Sequence, residues 1–537
     1  MLTTEQIRRI ALHGRVRPLI AGEILYEPGT NQVPVFVVIS GKLEAVRPWA
    51  GSETRFATIS RGQFTGEVNS LSGRPAILRM RVAEPGEAVE LDRQAIATLL
   101  QTDSELGEIA VRAFILRRVA LVAAGMGDVV LLGSSHSAAT LRIKEFLMRN
   151  GHPYVYIDLE RDEDVQTLLD QFSVSADEIP VVICRGQRVL RNPTTQEIAD
   201  CLGFNEPVDQ THLHDVIIVG AGPSGLAAAL SAASEGLDVL VLEASSPGGQ
   251  AGSSSRIENY LGFPAGITGQ ELAARASVQA EKFGAQVLIA KSVRLHCGRK
   301  PYTVELENGA QISGRAIVIA SGVEYRPLQL ENVLRFEGTG IYHGATFVEA
   351  QLCDGEDVIV VGGGNSAGQA AVFLAQTAKR VHMLVRGAGL AESMSRYLIR
   401  RIEETPAIVV RPLTEIVALR GDDHLDAVYL RNSRTGDEEE QQIRHVFLMT
   451  GGTPMTRWLD GCVALDGKGF IKTGPDLLPE DLHAATWPLA RSPLLLETSL
   501  PGVFAVGDAR GGSVKRVASA VGEGSIVVTL IHQSLRE

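Results

Sequence analysis

Apolar positions along this chain fall into three rhythms, and each predicts a different architecture. From about Arg17 to Leu91 they form short runs such as Val35 to Ser40, Lys42 to Val46 and Ala88 to Leu91. Gly22, Gly29, Gly41, Gly62 and Gly73 punctuate them. Short strands separated by glycine turns predict a small antiparallel barrel. A helix follows over Asp103 to Ala124, with Ile109, Phe114 and Val119 among its apolar positions. From Gly127 to Phe204 the rhythm alternates. A strand at Val129 to Gly133 leads to a helix at Ala138 to Asn150 and a strand at Tyr154 to Asp158. A helix at Asp162 to Phe172 and a strand at Ile179 to Ile183 complete a short α/β unit. The polar segment Asn205 to His214, which contains Pro207, is the predicted linker.

After the linker, buried strands run into glycine turns and helices twice. In the first unit, strand Asp215 to Val219 enters Gly220, Gly222 and Gly225. A helix over Leu226 to Ser234 follows, then a strand over Asp238 to Leu242 that ends at Glu243. Gly220 permits the tight turn, Gly222 lets a diphosphate approach the backbone, and Gly225 lets helix pack on strand. The helix N-terminus faces the anion, and Glu243 is placed to accept from ribose hydroxyls. In the second unit, strand Asp357 to Val361 enters Gly362, Gly364 and Ala367. A helix runs from about Ser366 to Thr377, then a strand from Arg380 to Val385. Here Val385 stands where the acid stood, and Arg386 follows it. An acid would repel an adenosine 2′-phosphate and an arginine would hold it, so NADPH is expected there and FAD in the first unit.

A third element supports FAD. Pro501 to Gly507 reads as a strand delivering Asp508 at its end, with a helix from about Lys515. An acid there can bind ribityl hydroxyls, and a helix N-terminus can stabilise negative charge on a reduced flavin. Lys515, Arg516 and Val517 at the start of that helix are included in the expected FAD site.

On these residues the chain resembles the thioredoxin-reductase group of two-nucleotide flavoproteins. The resemblance covers His214 to Leu535, about the last three fifths of the chain. It rests on Gly220-Ala-Gly-Pro-Ser-Gly225, Pro247-Gly-Gly-Gln250, Ile257-Glu-Asn-Tyr260 with Gly262-Phe-Pro264, Gly362-Gly-Gly-Asn-Ser-Ala367 and Gly507-Asp508. It implies that Gly249, Gln250 and Asn259 also touch FAD and that Asn365 and Ser366 join the NADPH turn. It implies an FAD domain over 213–330 and 466–537, interrupted by an NADPH domain over 331–465, and a homodimer.

Two departures bear on activity. The family's Cys-Ala-Thr-Cys pair corresponds to Gly344-Ala345-Thr346-Phe347, with neither cysteine. Thiol exchange needs a thiolate to attack, so this stretch cannot perform it. The family's His-Arg-Arg on the NADPH side is reduced to Arg386 alone. His343 lies near the lost pair and is the candidate for proton exchange.

The segment 126–204 resembles a thioredoxin or glutaredoxin fold, with Ile179-Pro180 at that fold's cis-proline site. Ser134, Ser135 and Ser137 occupy the place of its redox motif, and Cys184 has no partner in sequence. A redox-dead domain is therefore expected. The segment 1–125 resembles a cyclic-nucleotide-binding barrel with its C-terminal helix. Phe64-Thr-Gly-Glu67 matches the phosphate cassette, but Pro75-Ala-Ile-Leu78 stands where the phosphate arginine should be. Arg74 and Arg79 are out of register. A buried phosphate without its cation is costly, so a cyclic nucleotide is expected to bind weakly or not at all.

Composition narrows the partners. The 537 residues carry a formal net charge of −12, against nucleic acid or anionic membrane as a principal partner. The most apolar stretch, Val216 to Gly225, is too short to span a bilayer, and Met1 to Ile10 lacks the apolar core of a signal peptide. A cytoplasmic location is the expectation. Cys184, Cys201, Cys297, Cys353 and Cys462 lie at no paired spacing, so they are expected as reduced, buried thiols, with no disulfide framework and no metal site. Should two distant cysteines meet in space, Cys353 is the expected participant.

The sequence thus predicts a multidomain β-barrel plus α/β chain with two Rossmann-like domains. Its expected activity is hydride transfer from NADPH to FAD, with electrons leaving to a small-molecule or protein acceptor other than an internal dithiol. The alternative is a flavoprotein sensor that is reduced once and signals through its N-terminal domains.

Overall fold

The computed structural model describes residues 1–49, 52–66, 69–72, 74–123, 127–134, 137–159, 178–185, 188–205, 207–330, 332–459 and 461–537. Contacts divide the chain into two units. One comprises Met1–Ser134, Phe146–Val208 and Val278–Ile289; the other comprises Ser135–Glu145, Asp209–Ser277 and Ala290–Glu537. The division between Val208 and Asp209 falls in the polar segment predicted as a linker.

The first unit opens with an antiparallel sheet of strands Arg15–Leu19, Ile24–Tyr26, Val35–Trp49, Ser52–Ser60 and Arg79–Leu91. Two strands were expected at Val35 to Val46, and one strand of 15 residues forms. The residue between them, Gly41, has φ +82°, and the register against Arg79–Leu91 shifts on both sides of it. It marks a bulge, which bends a strand without ending it. Phe36, Val38, Leu43, Val82 and Ala88 close the barrel core. The helix expected over Asp103 to Ala124 forms as Ser104–Ala123, and a further helix that was not expected, Arg93–Thr102, precedes it. Asp103 separates them because its backbone is extended and ends the first helix. A second sheet has the order Val155–Asp158, Val129–Gly133, Val181–Cys184, Arg188–Arg191. The first pair is parallel and the others antiparallel, and Ile179–Pro180 is cis. The helix expected over Asp162 to Phe172 lies outside the described residues.

The second unit contains two parallel sheets. In one, strands Val239–Glu243, Leu213–Val219, Gln311–Ile319 and Val503–Ala505 lie side by side in parallel. Tyr302–Leu306 and Ser292–His296 extend it antiparallel. In the other, the order is Ile341–Tyr342, His445–Leu448, Asp357–Val361, Arg380–Val385, Ile408–Pro412, all parallel. Between them the chain passes through two short antiparallel strands, Val323–Tyr325 going out and Gly452–Pro454 coming back. No described helix is long and apolar enough to cross a membrane.

The cysteine expectation is corrected here. Cys297 and Cys462 form a disulfide with Cα atoms 5.8 Å apart. Cys297 follows the edge strand Ser292–His296, and Cys462 follows the short helix Arg457–Leu459. Chain spacing misled because the residues between them form a separately folded sheet whose two ends return to the same place. Cys353, the expected participant, is free and buried.

Candidate functional site

The two glycine turns form as their sequences dictate. Gly220 has φ +106°, a region only glycine enters freely, and a Cβ there would collide with the Ala320 carbonyl oxygen. A Cβ on Gly225 would collide with the Gly220 carbonyl oxygen. Gly222 is different. It caps helix Pro223–Ser234, and a Cβ on it would meet only Gly249 Cα, at 3.9 Å. The second unit repeats this. Gly362 has φ +145°, and a Cβ on Gly364, which caps helix Asn365–Leu374, would meet nothing within 4 Å. Neither helix has a side-chain cap, whereas Thr3, Asp92, Thr194 and Thr346 cap theirs. An uncapped N-terminus facing open space fits an anionic diphosphate.

Glu243 closes the first turn from the neighbouring strand. Its Oε2 accepts from Ala221 N at 2.7 Å and its Oε1 from Ser245 N at 3.0 Å. Gly249 and Gln250 lie on a short helix beside Gly222. Gln250 Nε2 donates to Val323 O at 2.6 Å, and Asn259 is exposed. At the third element, Gly507 has φ +69° and presents Asp508. Burial raises the Asp508 carboxyl, opposed by Lys515. Lys515 Nζ donates to Asp508 O at 2.6 Å and to Ser513 Oγ at 2.7 Å, and burial lowers its own value. The exposed Arg516 precedes Val517, the first residue of helix Val517–Leu535, which also has no side-chain cap.

Sequence reasoning missed Glu523, two turns into that helix. Its Oε2 accepts from Gly507 N at 2.7 Å and its Oε1 from Arg510 at 2.6 Å, so it holds the turn that carries Asp508. It also missed the pair between Arg401 and Glu258, at 2.7 and 3.2 Å, which joins helix Arg396–Glu403 to the segment after the first glycine turn. Glu258 lies inside the Ile257 to Tyr260 motif, but nothing local in sequence marks Arg401 or Glu523 as its counterpart.

On the second turn, Asn365 Oδ1 accepts from Ser395 N and Oγ at 2.8 and 2.9 Å. Ser366 is exposed and bonds the hydroxyl of the half-buried Tyr325, whose value burial raises. Ala367 is fully buried, Val385 is buried, and Arg386 is exposed beside the turn.

These two turns decide the assignment. Residues 214–524 match the family model described as pyridine nucleotide-disulphide oxidoreductase, more than half of the chain. The chain belongs to that family. It is 31% identical over 358 residues to "NADPH-dependent thioredoxin reductase 3" of Arabidopsis thaliana, a match spanning 64% of each chain. It is 32% identical over 319 residues to the thioredoxin reductase of Mycolicibacterium smegmatis, covering 58% of this chain and 93% of that one. The solved thioredoxin reductase of T. acidophilum superposes with a TM-score of 0.53 at 26% identity, over 60% of this chain and 99% of that one. Residues 16–103 match the cyclic nucleotide-binding domain. As a family member of thioredoxin-reductase type, this oxidoreductase is an enzyme that uses FAD and NADPH.

The stretch that carries the redox pair in the resemblance is here a helix start. Thr346 caps helix Phe347–Leu352, and Glu349 reaches back to it, accepting from Thr346 N at 2.8 Å and from its hydroxyl. Burial pushes the Glu349 carboxyl up to about 7, with Glu145 adding to it. Cys353 ends this helix. Its thiol donates to Glu349 O at 3.4 Å, and burial pushes it up to about 12. His343 Nε2 lies 3.2 Å from Glu337 Oε1, and its Nδ1 is buried without a hydrogen bond among the described residues. Ser134, in the first unit, and Ser137, in the second, are described, while Ser135 and Glu67 lie outside the described residues. Cys184, expected to lack a partner, has one. Cys201, on helix Thr195–Leu202, shares a thiol hydrogen bond that raises Cys184 and lowers Cys201. The two arginines that flank Pro75 to Leu78 in sequence are engaged. Arg79 pairs with Glu27 at 2.8 Å and with Glu53, and Arg74 lies 4.3 Å from the centre of the Phe204 ring.

Proposed function

We propose that this oxidoreductase takes reducing equivalents from NADPH and passes them from FAD to an acceptor other than a dithiol beside the flavin, such as a quinone, a redox protein or an external disulfide. One observation carries the reading. Gly344 and Phe347 flank Ala345-Thr346 where a redox pair would stand, and the nearest thiol, Cys353, is buried and held protonated. Only a thiolate attacks a disulfide.

In this proposal the FAD domain spans 213–330 and 466–537 and the NADPH domain 331–465, in a homodimer. Bound, the two cofactors supply hydride transfer from nicotinamide to flavin. The chain's own residues bind and orient them. Gly220, Gly222, Gly225, Glu243, Gly249, Gln250 and Asn259 hold the FAD diphosphate and ribose side, and Gly507, Asp508, Lys515, Arg516 and Val517 the ribityl and flavin side. Gly362, Gly364, Asn365, Ser366, Ala367 and Arg386 hold NADPH. His343, poised by Glu337, exchanges protons with the acceptor. The segment 126–204 serves as a thioredoxin-like partner-binding domain with no dithiol at Ser134 and Ser137.

The test is an acceptor screen that follows flavin absorbance and NADPH oxidation, in the parent and in a variant with all five cysteines replaced by serine. Multiple turnovers with a quinone, equal in both, are expected. Efficient thioredoxin reduction by the parent that the variant loses would overturn the reading. A single reduction without turnover by any acceptor would instead favour a sensor.

A further inference from the structure

Two imidazoles and a carboxylate converge at the end of strand Leu213–Val219 that lies away from its glycine turn. His212 Nε2 lies 2.8 Å from Asp238 Oδ2, and His214 Nδ1 lies 2.8 Å from the same oxygen. The two rings meet edge to face, with centroids 4.6 Å apart. One ligand atom from each of the three residues lies within 4.8 Å of the others.

The backbone explains the convergence. His214 begins one parallel strand, Asp238 immediately precedes the next, and Val216 stands opposite Val239 across the pair. Residues two apart on extended chain share a side, which brings His212 next to His214. Asp238 is braced through its backbone N–H, which donates to Asp215 Oδ2 at 3.1 Å. Arg315 holds the other Asp215 oxygen at 2.7 Å. His214 is buried, Asp238 is half-buried and His212 is exposed, so solvent reaches the cluster from one side.

We propose that His212, His214 and Asp238 form a binding site for a divalent transition-metal cation of the zinc type. Imidazole nitrogen with one carboxylate is a donor set that suits zinc and its neighbours and not the hard cations, which take oxygen alone. Ligands around a tetrahedral ion with bonds of about 2.0–2.1 Å stand about 3.3 Å apart. The exposed His212 has the freedom to close toward His214, and the contacts of both rings with Asp238, at 2.8 Å, open by about 0.5 Å to admit the ion. Without metal, both rings turn an N–H toward one carboxylate oxygen. To bind a cation at those nitrogens each neutral ring takes its other tautomer, its one proton moving to the remaining nitrogen, so no net proton is lost from the rings. His214 Nε2 is buried without a hydrogen bond among the described residues. No partner on Nε2 fixes the tautomer, so Nδ1 can change from donor to ligand. Water completes the coordination from the exposed side.

The strand from His214 to Gly220 is about 20 Å long. The cation therefore takes no part in flavin chemistry. It fixes the segment that precedes the strand onto the start of the next one.

The experiment uses the full-length FAD-loaded protein, stripped of metal with a chelator and titrated with zinc chloride by calorimetry. Total zinc is measured after dialysis, and thermal unfolding is followed alongside. One zinc per chain is expected, with a raised unfolding temperature. Affinity should fall at least about tenfold in His212→Ala and in Asp238→Asn, each with an unchanged flavin spectrum. Binding should also weaken as pH drops below about 6.5, because ligand imidazoles must be neutral. Absence of stoichiometric zinc in the parent, or equal binding by the parent and both variants, overturns the proposal. His212 is exposed, so its replacement tests the site without endangering the fold.

Discussion

Cys297 and Cys462 stand 165 residues apart in sequence and are joined by a disulfide. The bond ties the edge strand Ser292–His296 to the segment that follows the returning strand Gly452–Pro454, so it closes a loop around the whole inserted sheet.

Closing a loop of that length restricts the unfolded chain and stabilises the fold by about 2–4 kcal/mol. The double variant Cys297→Ser/Cys462→Ser should therefore unfold at lower denaturant than the oxidised parent. Dithiothreitol should lower the parent's midpoint to the variant's value and leave the variant unchanged. Thiol titration of the unfolded, unreduced parent should count three free thiols, those of Cys184, Cys201 and Cys353.

Arg386 is exposed beside the second glycine turn, where Val385 replaces an acid. One charge-assisted contact to a 2′-phosphate contributes about 1.5–3 kcal/mol, roughly a 10- to 100-fold preference. NADPH should reduce the flavin that much more efficiently than NADH, and Arg386→Ala should bring the two rates together. Equal rates in the parent, measured by stopped flow, would remove the argument.

Glu349 carries a pH dependence. Its carboxyl sits at about 7 in the fold against an ordinary 4.5, because burial disfavours the charge. Between these values the folded chain holds a proton that the unfolded chain has lost. The stabilisation is full below about pH 4.5 and fades as pH rises through 7, a change on the order of 3 kcal/mol. Glu349→Gln keeps an acceptor for Thr346 and should abolish that slope. Chemical denaturation of parent and variant from pH 4.5 to 7.5 gives the comparison, and parallel curves would show that Glu349 titrates normally.

Cyclic AMP and cyclic GMP should bind weakly or not at all to the N-terminal barrel. The two arginines that flank the place of the phosphate arginine in sequence are held elsewhere, Arg79 by Glu27 and Glu53 and Arg74 over Phe204. Calorimetry on the full chain checks this, and tight saturable binding lost in Glu67→Ala would show that another cation serves the phosphate.

The sequence by itself determined what depends on neighbours along the chain. A strand, a glycine turn and a helix are fixed by local backbone freedom, so the strands Asp357–Val361 and Arg380–Val385 and the turns at Gly220 and Gly362 form where their residues require. Gly41 was legible as a special backbone position, but only its pairing with Arg79–Leu91 decided that it bulges a strand and does not end one. Tertiary structure alone decided contacts between residues far apart in sequence. Glu523 holds the Gly507 turn, Arg401 reaches Glu258, Cys201 lies against Cys184, and Cys297 meets Cys462. The physical reason is common to all four. Each partner is brought in by the packing of a separate element, and a side chain's reach of a few ångströms leaves no trace in residue spacing when turns, a helix or a folded sheet lie between the partners.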